Sequence, residues 1–98
     1  MRLTHDQVEL IRRIASQIAG DCRVRVFGSR LNDTMRGGDI DLLLELTDST
    51  DNPALIAAQF SARVPRAMDG QKVDVLISAP NLMRLPIHDV AFKEGQLI

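Results

Sequence analysis

The chain has no tryptophan and no tyrosine, and only three phenylalanines. Readers of single-stranded nucleic acid stack bases on aromatic rings, so this scarcity argues against that class. A basic footprint is missing too, because the net charge is −1 and a nucleic-acid surface needs an excess of Lys and Arg. Direct nucleic-acid binding is therefore not expected. One cysteine, Cys22, leaves no internal disulfide and no cysteine-rich zinc site. His5 and His88 have no Cys or His partner at metal spacing and read as structural or exposed. No apolar run approaches the roughly 18 residues of a membrane span. The first residues lack the apolar core of a leader peptide. No membrane contact is expected, and the cytoplasm is the expected compartment.

What is present suffices for one domain over residues 1–98, with 45% apolar residues to build a single core. Thr4 to Ala19 reads as a helix. Thr4 and Gln7 have capping-box spacing, and Val8, Ile11, Ile14, Ala15 and Ile18 follow one buried stripe. Gly20 fits the position after the helix, where positive φ is wanted. Arg23 to Phe27 alternates and reads as a strand, with Val24 and Val26 inward. Asn52-Pro53 opens a second helix as N-cap and first residue, and Pro65 is expected to end it. Asp69-Gly70 marks a turn, and Lys72 to Ile77 a further strand. Pro80 to Leu85 suggests a helical turn, and Pro86 starts a last helix that Gly95 closes. The fold class expected is α/β (α+β): a small mixed sheet of about three strands flanked by helices.

The segment from Val24 to Leu46 carries the chemistry. A Gly28-Ser29 turn follows the first strand, and Asp39-Ile40-Asp41 opens the second, expected over Asp39 to Leu46. Strand side chains alternate, so Asp39 and Asp41 share a face while Ile40, Leu42, Leu44 and Leu46 share the other. Two like charges held about 6–7 Å apart along a strand favour a cation between them. Hard oxygen donors suit Mg²⁺, which keeps room for phosphate oxygens. Glycine permits close backbone approach, so Gly28 and Ser29 suit a phosphate. Charge is uneven as well: residues 1–38 hold seven Lys/Arg against four Asp/Glu. Arg30 and Arg36 flank the motif and are the better phosphate candidates among the arginines. On the third strand Asp74 stands among Val73, Val75, Leu76 and Ile77. A buried carboxylate there would cost several kcal/mol if unpaired, so Asp74 is expected to join Asp39 and Asp41 if its strand lies beside theirs.

Gly28-Ser29, then Asp39-Ile40-Asp41, then a strand Asp at Asp74, resembles the DNA polymerase beta-like nucleotidyltransferase superfamily. More narrowly it is similar to the minimal nucleotidyltransferases paired with HEPN-domain toxins. The resemblance implies the nucleotidyltransferase fold, with Asp39, Asp41 and Asp74 as catalytic carboxylates and ligands of two Mg²⁺. It implies that Gly28, Ser29 and Arg30 hold the nucleotide, with ATP as substrate. It also implies transfer of AMP to a hydroxyl, in that family a tyrosine of a HEPN toxin, so that the chain would act as an antitoxin. Gly37-Gly38 departs from the polar residue that often precedes the first Asp in the family. The alternative is a binding module without catalysis, with Leu82, Leu85, Ile87, Val90, Phe92 and Leu97 as partner surface instead of core. Oligomeric state stays open. Asp-x-Asp sugar-nucleotide transferases and phosphatases generally need a longer chain.

Overall fold

The computed structural model describes residues 3–28, 40–67 and 72–98. Helix α1 covers His5–Ala19, strand β1 Cys22–Phe27, β2 Ile40–Leu46, α2 Pro53–Ala67, β3 Val73–Ser78, α3 Pro86–Glu94 and β4 Gln96–Leu97. The Thr4 hydroxyl accepts from the Gln7 amide at 3.1 Å, and the Gln7 side chain accepts from the Thr4 amide at 2.9 Å. This box fixes the first turn of α1. Gly20 ends the helix at φ 69°. Asn52 caps α2 by accepting from the Leu55 amide at 3.1 Å.

The sheet runs β3-β2-β1-β4 and is mixed. β1 pairs antiparallel with β2 and with β4, whereas β2 and β3 are parallel and joined through α2. One face carries Val24 and Val26, Leu42, Leu44 and Leu46, and Val73 and Ile77. These pack with Ile11, Ile14 and Ala15 of α1 and Phe60 and Val64 of α2 into one core. Both long helices therefore lie on this face, and an Arg63 guanidinium bonded to Gln17 links them on the outside. Thr50 and Asn81 fasten the loops that leave β2 and β3 through two bonds, at 3.0 and 2.8 Å.

The other face is only partly covered, by α3. Leu43 and Ala91 are fully buried on that side. Arg25 and Arg84 lie over the Phe92 ring, at 5.2 and 4.4 Å from its centre. Arg25 also pairs with Glu45 at 3.8 Å. Arg25 thus belongs to a polar layer beneath α3, while Arg23 is exposed.

Three expectations need correction. The sheet has four strands, not three: Gln96–Leu97 pairs with Arg25 and Val26, and the Ile98 amide donates to the Val24 carbonyl at 2.9 Å. Two residues carry no periodicity, so only this tertiary pairing defines the strand. Pro65 does not end α2, which runs to Ala67. Proline keeps helical φ and removes only one donor near the end of the helix. Residues 80–85 form a turn and extended chain instead of a helical turn. Of the residues named as a possible partner surface, Leu85, Ile87, Val90 and Leu97 are exposed, whereas Leu82 and Phe92 are half-buried. The Gly37-Gly38 and Asp69-Gly70 turns lie outside the described residues.

Candidate functional site

The open face is built in rows that cross the sheet. Antiparallel pairing sets Phe27 beside Asp41, and parallel pairing sets Asp41 beside Asp74. The next row is Arg25, Leu43 and Leu76, and the one after it is Arg23, Glu45 and Ser78. The first row therefore places two carboxylates on neighbouring strands, whose backbones run about 4.8 Å apart. The in-register placement follows from the core. Leu42 and Leu44 must meet Val75 and Ile77 on the buried face, and a one-residue slip would invert every side chain.

Gly28 closes β1 against this row. Its φ is 76°, a left-handed conformation in which a Cβ is strained. The space a Cβ would need is occupied by the Asp41 carboxylate, whose Cγ lies 3.2 Å from that position. The backbone at Gly28 thus sits directly against Asp41. A cavity of about 230 Å³ opens here, lined by Phe27, Asp41, Asp74, Val75, Leu76 and Ile87. Its walls are mostly apolar and its two carboxylates stand together. A larger depression of about 690 Å³, with Arg12, Arg13, Cys22 and Arg23 in its wall, lies between α1 and β1. Its two carboxylates, Glu9 on α1 and Asp21 just before β1, are not set side by side on paired strands, and Glu9 pairs with Arg12.

Asp41 is half-buried and Asp74 is exposed. The exposure of Asp74 corrects the expectation of a buried carboxylate. β3 is an edge strand of the sheet. Its proximity to Asp41 comes from strand pairing, not from a need to neutralise a buried charge. Asp39, Ser29, Arg30 and Arg36 lie outside the described residues. Among the described residues no group of three potential metal ligands occurs. Two of the three carboxylates, and the glycine of the Gly-Ser pair, are brought together.

Phe27 and Ile87 are site residues that the sequence pattern did not single out. Phe27 carries a usable signal, since it precedes Gly28 and shares a strand face with Arg25. Ile87 reaches the cavity only through the docking of α3, which no local pattern encodes. Among the described residues no helix is long and apolar enough to cross a membrane. Searches of protein-family models, of curated proteins and of solved structures returned no match to this chain.

Proposed function

We propose that this domain is a Mg²⁺-dependent nucleotidyltransferase with the nucleotidyltransferase fold, moving AMP from ATP to a hydroxyl acceptor. The observation that carries the reading is the row Asp41–Asp74 on parallel neighbours, with Gly28 pressed against Asp41. The donor set fits the metal: both described groups are carboxylates on an open face, which suits a hard cation that retains water and phosphate ligands. Asp41 and Asp74, with Asp39 beside them on the chain, would hold two Mg²⁺. When bound, the ions would neutralise phosphate charge and favour the ionised acceptor.

The chain's own residues have the remaining tasks. The acceptor oxygen bonds to the α-phosphorus, the bond to the bridging oxygen breaks, and pyrophosphate departs with the electron pair. Asp74, the more exposed carboxylate, is the group assigned to receive the acceptor proton. Gly28, exposed and without a side chain of its own, offers its backbone to the phosphates beside Asp41, and Ser29 and Arg30 are the assigned phosphate contacts. Phe27, Leu76 and Ile87 keep water from one side of the cavity. The acceptor assigned is a tyrosine of a HEPN-type toxin, which makes the chain an antitoxin of cytoplasmic type.

The test uses ATP labelled at the α- or the γ-phosphate, incubated with the protein, Mg²⁺ and a HEPN-domain candidate. Transfer of α-label alone, lost in Asp41→Asn, is expected. Transfer of γ-label would make the protein a kinase and overturn the reading.

A second reading has its own observation. Met83 is 80% exposed, and Leu85, Ile87, Val90 and Leu97 are each more than two-fifths exposed. Exposed large apolar side chains of this kind suit a binding module that neutralises a partner by contact. A stable complex that forms without label transfer, and survives Asp41→Asn, would favour it.

A further inference from the structure

Among the described residues His88 is the buried polar one, with 5% exposure. Both ring nitrogens are committed to backbone groups of different elements. Nδ1 accepts from the Leu85 amide at 2.8 Å. Nε2 lies 2.9 Å from the Ile77 carbonyl oxygen. A carbonyl can only accept and an amide N–H can only donate. The pair of contacts therefore defines one neutral tautomer, protonated at Nε2 and bare at Nδ1. The His88 amide returns a bond to the Leu85 carbonyl at 2.9 Å. One imidazole thus caps the start of α3 and ties it to the end of β3.

We propose that His88 is a proton-operated latch that positions α3 and, through Ile87, one wall of the carboxylate cavity. With Nδ1 bare, the Leu85 amide is capped and the first turn of α3 is held to β3. A proton on Nδ1 points at the Leu85 N–H, so that bond is lost and two donors face each other. The Ile77 bond survives protonation, because Nε2 remains a donor. The first turn, with Pro86 and Ile87, is then released while Ala91 stays packed.

The charges around the ring are matched in pairs. Arg84 and Asp89 lie within 2.6 Å of each other, and Arg25 pairs with Glu45. Arg84 and Glu45 both line, with His88, a cavity of about 300 Å³, which gives water a route to the ring. Each of these carboxylates faces a guanidinium, although Arg25 Nε and Glu45 Oε2 are buried without a hydrogen bond. The latch rests on the geometry of α3 and β3 and not on the proposed chemistry, so either can fail alone.

The test is amide hydrogen exchange at Leu85 in the full chain, corrected for intrinsic rates and compared at about pH 8 and about pH 5. Protection at Leu85 is expected to fall roughly tenfold, the worth of one hydrogen bond, while Gly95, whose amide donates to the Ala91 carbonyl at 2.8 Å beyond the released turn, keeps its protection. His88→Gln retains a capping acceptor at this position and does not titrate, so its Leu85 protection should stay constant. In parallel, imidazole nitrogen shifts of the wild type should report a bare Nδ1 at pH 8 and move along the same curve as the Leu85 amide. Equal Leu85 protection at both ends of the range overturns the proposal. So does a proton on Nδ1 at pH 8, or the same loss in His88→Gln. The wild-type measurements decide the matter even if that variant does not fold.

Discussion

Gly28 and Asp41 are in such close contact that a single methyl group on the glycine would overlap the carboxylate. The backbone there is also left-handed, with φ 76°. Gly28→Ala is therefore expected to cost about 1–2 kcal/mol from backbone strain alone, with more from the displaced Asp41. Denaturant unfolding should show this as a lower midpoint. If Gly28 is also the phosphate approach, activity should fall further than the residual stability explains.

Asp74 offers the opposite separation. It is exposed, and exposed substitutions usually change stability by no more than about 0.5 kcal/mol. Asp74→Asn should leave the thermal midpoint nearly unchanged. Label transfer should fall roughly 100-fold or more if the group takes part in proton transfer. Undiminished transfer by Asp74→Asn would remove it from the site.

Phe60 tests the architecture without touching the cavity. It is fully buried beneath the sheet with Val64, Ile11 and Leu42. Phe60→Ala should cost about 3–5 kcal/mol in urea unfolding. A loss under about 1 kcal/mol would mean that α2 does not cover this face.

Cys22 predicts a pH dependence. Burial, and secondarily the negative charge of Asp21, raise its thiol above the ordinary 9.0. An acid whose folded value is raised stays protonated while the unfolded chain has already lost its proton. Stability from this group is thus full below about pH 9 and declines as pH rises beyond it. Unfolding midpoints of wild type and Cys22→Ser should diverge in slope only on the alkaline side. At pH 8, alkylation of the native thiol should be slower than in the unfolded chain.

Much of this fold was legible locally. Thr4 and Gln7 announced the start of α1, and Asn52-Pro53 that of α2, because caps are written within one turn. The alternation in Cys22–Phe27 and Val73–Ser78 assigned faces correctly, since one side had to meet two helices. What escaped was tertiary. β4 exists only because Gln96 and Leu97 find β1. The exposure of Asp74 follows from its place on an edge strand, whereas a strand rich in Val and Ile suggested burial. The outward side of α3, with Ile87 and Val90, was indistinguishable from core by composition. At the site, the sequence supplied the residue types and the strand order supplied their adjacency. Half of the motif, Ser29, Arg30 and Asp39, lies outside the described residues.

The parallel pairing of β2 with β3 has a consequence for how the molecule matures. Asp41 and Asp74 are distant along the chain and can meet only after α2 has crossed over and docked. An early intermediate that has formed only the β1–β2 pair holds Gly28 and Asp41 but not Asp74. Whatever the paired carboxylates do thus depends on the docked crossover and not on the β1–β2 pair alone.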